Sequence, residues 1–409
     1  MSDALPDAEP GDVIEVDGDA VYPPVEIDVG GTAESPLVIR GISVNGRRPV
    51  FSGGTDTLRI SADHVVLENL EITQGSERCL FLAGDGLWVR RSVIHDCPRH
   101  GILGADYGTG RVVLDQDEVH HCGSWPEGEN LKHPVYVATD PSLYPDAALR
   151  VMHCFLHDNP GGNAIKSRAG RLEVYFNWIE TSESQDAYYS VESVGFEEFP
   201  SEPGQNADIV GNVLVHLGTS GMRFGGDGTG AMRGQARLVH NTVLLGAGFD
   251  EYTPVIRLSG ESDSEGNPGA IAGLESLGNV YYRLGGGALQ LVRDDATWVG
   301  GEPRILFHGD WVPSGSSLPE QSASLLEGAS PGYASAQNAS QLDLSIVPAA
   351  PIEHAGSVSL APASGHDLPG ALVDLSCMPP SQRPTSLEDM APRSRDEAPP
   401  PTLGAISAP

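Results

Sequence analysis

Gly161-Gly162-Asn163-Ala164-Ile165-Lys166-Ser167-Arg168-Ala169-Gly170-Arg171-Leu172-Glu173-Val174-Tyr175-Phe176-Asn177-Trp178-Ile179 contains two short β-runs, 164–167 and 172–179, joined by a glycine-containing corner. The second run ends in Asn-Trp-Ile, and this ending recurs along the chain. Aligned on it, the closing triplet begins at positions 70, 92, 117, 154, 177, 212, 241 and 279, and the last four of these are asparagine. The steps are 22, 25, 37, 23, 35, 29 and 38 residues. A second run follows each triplet about ten residues on, as in 79–82, 100–103, 134–137, 190–192, 221–224 and 255–258. Two strand signals per period, separated by Gly, Asp and Asn turns, describe the coil of a solenoid. Stacked coils place equivalent residues about 4.8 Å apart, so the asparagines can form a ladder. The expected fold is all-β: one single-stranded right-handed parallel β-helix of nine or ten coils. A sandwich or barrel would not hold one register over eight segments.

Composition fits this reading. The chain has 409 residues with 50 Gly and 32 Pro, and no apolar run approaches a membrane span. Its net charge of −32 argues against nucleic acid and anionic membranes as partners. An anionic substrate would need a local positive site. Lysine occurs twice, at Lys132 and Lys166, against 22 arginines (24 − 2). We divide the chain into an N-terminal cap and first coil (1–57), the β-helix (58–300) and a covering tail (301–409). Residues 1–10 read as an acidic linker without a secretory signal. Insertions at 123–148, 182–206 and 245–272 flank the Lys166 coil, and long loops on a rigid solenoid are the usual binding walls.

The segments Glu9-Pro10-Gly11-Asp12-Val13-Ile14-Glu15-Val16 and Gly31-Thr32-Ala33-Glu34-Ser35-Pro36-Leu37-Val38-Ile39-Arg40-Gly41 resemble the opening coil of secreted right-handed parallel β-helix proteins. These are the pectin-lyase-like superfamily, nearest to polysaccharide lyases of the chondroitinase B and alginate lyase type. The resemblance spans roughly residues 9–300, and Pro401-Thr402-Leu403-Gly404-Ala405-Ile406 is similar to the strand that closes such tails. It implies a secreted or cell-surface protein, monomeric, acting on an anionic polysaccharide. It also implies that Ile165-Lys166-Ser167 supplies the base that takes the proton beside a uronate carboxylate, supported by an arginine on the next coil and a calcium ion. The next coil instead reads Tyr189-Ser190-Val191-Glu192-Ser193, and Asn159-Pro160-Gly161-Gly162-Asn163 stands where acidic calcium ligands are expected. No cofactor or metal is therefore expected, and Arg223 is the substitute cation one coil further on.

The residues by themselves offer several constellations. Lys166 with Arg168 and Arg223 could act as base and carboxylate-neutralising cations; the alternative is a Lys166–Glu192 surface ion pair. His133 and Tyr136 could form an acid–base pair, or pack between coils. Lys132, Glu192, Arg171, Trp125 and Tyr189 are candidate substrate contacts. The columns His95/His120/His157 and Asp96/His121/Asp158 read as stacked polar turns rather than a metal site. Cys97 and Cys122 share a column, so a disulfide between them and free buried thiols are both open. Asp186, Glu192, Asp208 and Asp227 are the carboxylates a glycoside hydrolase would draw on. A non-catalytic glycan-binding or structural β-helix is the remaining reading.

Overall fold

The computed structural model describes residues 4–123, 132–184, 186–199, 204–218, 221–249, 252–320, 322–323, 325–353, 355, 375–395 and 402–407. Among them the chain winds as a right-handed parallel β-helix with three long parallel sheets. The first sheet runs through twelve strands from Val13–Asp17 to Ser322–Ala323. The second runs through twelve from Val21–Tyr22 to Leu326–Gly328, and the third through ten from Val25–Ile27 to Gln290–Asp294. The Lys166 coil comprises Ala148–Met152, Phe155–His157 and Ile165–Arg168.

Ten coils therefore have three strands among the described residues, where the sequence suggested two runs. The run 172–179 is broken into Arg171–Tyr175 and Trp178–Thr181, with Phe176 between them at φ +58°. Equivalent corners place Asn69, Arg91, Gln116, His153 and His240 in the same left-handed conformation. That conformation usually advertises itself through glycine. Here glycine fills it at Gly211 and Gly278 but not at these other corners, so the bends are hidden in the sequence.

The asparagine ladder is present and lies in the core. Asn177, Asn212, Asn241 and Asn279 are fully buried. The side-chain amide of each donates to the next side-chain oxygen at 2.9 Å, and Asn279 donates to Asp310. Each side-chain oxygen also accepts the backbone N–H of the preceding coil's ladder residue. Both needs of every buried amide are thus met, as a dry interior requires. Apolar columns pack beside the ladder, such as Leu149–Leu172–Ala207–Ala236 and Val151–Val174–Ile209–Leu238.

The ladder does not stop at residue 300. Leu306-Phe307-His308-Gly309-Asp310-Trp311 repeats the coil pattern with aspartate in the asparagine position, and pairing on the first and second sheets continues to Gly328. Beyond it the described tail lies on the outer face of the second sheet. Phe155, Trp178, Val213, Leu244, Tyr282 and Trp311 point outward there and are buried against Tyr333, Leu344, Ile352, Met390, Leu403 and Ile406. Arg383 reaches back to Glu180 at 2.8 Å and Asp158 at 3.3 Å. At the other end a 3-10 turn, Leu5–Asp7, sets Leu5 into the core.

The disulfide is Cys79–Cys97, with Cα atoms 5.6 Å apart, and not the Cys97–Cys122 pair that the shared column suggested. Cys122 is buried and receives the Cys97 N–H on its sulfur. Cys97 and Cys122 share a column, but the bond to Cys97 comes from Cys79, within the third-sheet strand Arg78–Leu82. Among the described residues no helix is long and apolar enough to cross a membrane.

Candidate functional site

The third sheet carries the candidate residues because its register stacks them. Tyr136, Lys166, Glu192, Arg223 and Arg257 are successive partners on adjacent strands. Strand spacing of about 4.8 Å puts their side chains in one outward row. Inward neighbours Ile165 and Val191 anchor the strands in the core.

A turn then brings in Asp227. Its Oδ1 accepts the Thr229 N–H at 3.2 Å, the Thr229 hydroxyl at 3.0 Å and the Gly230 N–H at 3.1 Å. These bonds fix the carboxylate so that Oδ2 faces two cations: Lys166 Nζ at 2.8 Å and Arg168 Nη2 at 2.5 Å. Glu192 completes the knot, 3.3 Å from both Lys166 and Arg223, and accepts the Asn163 amide at 2.6 Å. Arg168 also binds the Tyr136 oxygen at 2.9 Å and the Gly195 carbonyl at 2.6 Å. A groove of about 220 Å3 opens over Lys166, Glu192, Arg223 and Asp227, lined also by His133, Asn163, Tyr188, Tyr189 and Arg257.

The charge states follow from these contacts. Burial works against the Lys166 ammonium, but Glu192 and Asp227 outweigh it and hold its pKa above the ordinary lysine value. Burial would raise the Asp227 carboxyl; Arg168 and Lys166 reverse this and hold it below the usual carboxylate range. Burial raises the Tyr136 phenol, with Arg168 and Lys166 pulling the other way. Burial, then Lys166, pushes His133 well below the usual imidazole value. The neutral His133 ring accepts the Asn163 N–H on Nδ1 at 2.9 Å, so its proton sits on Nε2. His100 repeats this one coil earlier, accepting the His133 N–H at 3.1 Å, with burial lowering its pKa to about 3.

Seven of the ten expected residues thus converge: Lys166, Arg168, Arg223, Tyr136, His133, Glu192 and Tyr189. The Lys166–Glu192 ion pair that the sequence offered as the alternative is also there, inside the same cluster. Arg171 is elsewhere. It starts a first-sheet strand and pairs with Glu173, at 2.8 Å, and with Asp208. Lys132 acts on His100 through its charge and has no ion pair among the described residues. Trp125 lies outside the described residues. Sequence reading undervalued Asp227, Asn163 and Arg257. Arg257 could have been found by extending the Lys166–Glu192–Arg223 column by one strand, and Tyr188 and Tyr189 come from the insertion at 182–206.

The donor set does not fit a calcium ion. Glu192 and Asp227, the carboxylates nearest the groove, are engaged by Lys166, Arg168 and Arg223. The histidine column is a stack, with His95–His120 and His120–His157 centroids 4.9 and 5.1 Å apart. His95 lies between Glu71 and Asp96, and His157 between Glu118 and Asp158. Among the described residues no three His, Cys, Asp or Glu side chains converge to hold a metal ion.

No protein-family model matches the sequence, and no curated protein matches it. Similar solved structures include an alginate lyase from Paenibacillus sp. str. FPU-7, at 15% identity and TM-score 0.49, covering 80% of this chain and 94% of that one. Pectate lyase Pel9A is 12% identical at TM-score 0.49, covering 100% of this chain and 91% of that one. The polysaccharide lyase Pedsa3628, of family PL6 from Pseudopedobacter saltans, is 12% identical at TM-score 0.42, covering 80% and 90%. At such identities no residue role passes from them to this chain.

Proposed function

We propose that this is a carbohydrate-directed, polysaccharide lyase-like protein, whose third-sheet groove takes an acidic, uronic-acid-containing polysaccharide and cleaves it by β-elimination. The observation that carries the reading is the gathering of Lys166, Arg168, Arg223 and Arg257 around one groove in a chain of net charge −32. Five carboxylates pair with these four cations, and an incoming uronate would take the place of the more exposed of them, Glu197, Glu261 and Asp295. Arg223 and Lys166 would neutralise the substrate carboxylate, and the enolate charge that builds on it.

The proton-taking role moves from Lys166 to Tyr136. Lys166 is held as an ammonium by two carboxylates, the wrong state for a base. Arg168, bonded to the Tyr136 oxygen, works toward the phenolate against the larger effect of burial. Tyr136, entering the step as its phenolate, would take the proton beside the carboxylate as the ring double bond forms and the bond to the leaving oxygen breaks. It would then return that proton to the leaving oxygen. The Cys79–Cys97 disulfide supports an oxidising, extracellular setting.

A second reading, glycan binding without cleavage, is favoured by one observation: in the resting site every candidate base carries its proton or has its lone pair occupied. A screen on alginate, chondroitin and pectate, read by ultraviolet absorbance of the unsaturated product, separates the two. Elimination predicts absorbance that Tyr136→Phe abolishes while polymer binding survives. Binding that Arg223→Ala weakens, with no absorbance on any polymer, establishes the second reading. Absence of both overturns the glycan assignment.

A further inference from the structure

A larger cavity, of about 370 Å3, lies away from this groove, at the corner between the first and second sheets. Its walls come from four consecutive coils, through Glu68, Arg90, Arg91, Asp115 and His153, and from the tail through Pro392. The tail is fixed beside it by Gln116, whose amide donates to the Leu387 carbonyl at 3.4 Å.

The carboxylates of this cavity are already matched. Glu68 receives Arg40 at 2.7 Å and Arg90 at 3.2 Å, and Asp115 receives His153 Nδ1 at 3.1 Å. The nitrogens are not. His153 is 5% exposed, and its Nε2 has no partner. Arg90 Nε is likewise buried without one. Arg91, exposed at the cavity rim, has no ion pair among the described residues. Asp115 fixes the Nδ1 proton of His153, so Nε2 donates only when the ring carries a second proton. A buried polar atom left unpaired is costly, and a protein keeps one where a ligand or water supplies the partner.

We propose that this cavity binds a small organic or inorganic oxyanion, a carboxylate or phosphate group on a molecule no larger than a monosaccharide. Arg91 and Arg90 supply charge, and His153 Nε2 supplies a directed hydrogen bond. The site is independent of the groove, since it shares no residue with it.

The test is calorimetric titration of the full chain with D-glucuronate, inorganic phosphate and neutral glucose. Saturable binding of at least one anion, with none of glucose, is expected. Arg91→Ala and His153→Gln should each weaken it at least tenfold, whereas Lys166→Ala should leave it unchanged. Arg91 is exposed, so its variant folds and keeps the test sharp if His153→Gln does not. The His153 ring resonances should shift on saturation. No saturable binding of either anion, or binding that Lys166→Ala removes and Arg91→Ala does not, overturns the assignment.

Discussion

Asp227 Oδ2 is shared by Lys166 Nζ, at 2.8 Å, and Arg168 Nη2, at 2.5 Å. One carboxylate oxygen therefore holds together the two cations that two separate sequence positions, 61 and 59 residues away, bring to the groove. With Glu192 it also keeps Lys166 protonated, because an amine this close to fixed carboxylates holds its proton.

Asp227→Asn should destabilise the protein by about 3 kcal/mol, since it leaves two buried cations short of a partner. The acid limb should change with it. The folded carboxyl lies below its ordinary value, so its contribution is present above about pH 4 and is lost as the pH falls further. Urea unfolding between pH 2.5 and 7 should show a flatter acid limb in the variant. An unchanged limb would show that Asp227 does not carry this pairing in solution.

Asn212→Ala should cost about 3 kcal/mol or more. It strands the Asn177 N–H and amide, which both use the Asn212 oxygen, and the Val174 carbonyl, which accepts from its amide. Each buried group left without a partner costs about 1–3 kcal/mol. Thermal unfolding reads this directly, and a loss under about 1 kcal/mol would mean the ladder contributes little.

How much of this was legible depends on what each residue answers to. The asparagine column was visible because Asn177, Asn212, Asn241 and Asn279 answer to the coil repeat itself. The ninth copy, at Asp310, was missed because aspartate replaces asparagine and the flanking strands are short. Lys166, Arg168, Arg223 and Glu192 were legible as a stack on the third sheet. Asp227 was recognised only as a carboxylate, because its place over Lys166 comes from a turn and not from strand register. The corner at Phe176 left no trace either, since an aromatic residue in a left-handed conformation looks like strand in a one-dimensional pattern.

The cysteines offer a chemical check on the register. Burial pushes the Cys122 thiol up to about 12 and raises Cys154 as well, so neither forms thiolate near neutrality. Alkylation of the native protein at pH 8 should label Cys377, which is partly exposed, and spare Cys122 and Cys154. Non-reducing peptide mapping should recover a Cys79–Cys97 link. Recovery of Cys97 joined to Cys122 would overturn the arrangement of these two coils.

Asp310 makes the ladder's end sensitive to pH. Its Oδ1 accepts the backbone N–H and the amide of Asn279, while its Oδ2 is buried without a partner. Burial pushes this carboxyl up to about 7. The sign follows: the folded state holds the proton more tightly than the unfolded chain, whose carboxyl titrates near 4. Stability is therefore greatest at low pH and is lost as the pH rises from about 4 through 7, by at most about 4 kcal/mol. Asp310→Asn removes the titration. Relative to the parent, the variant should gain about 2–4 kcal/mol between pH 5 and pH 9. Denaturation curves at the two pH values check this, and a constant difference would place Asp310 outside the neutral range and leave the alkaline loss to another group.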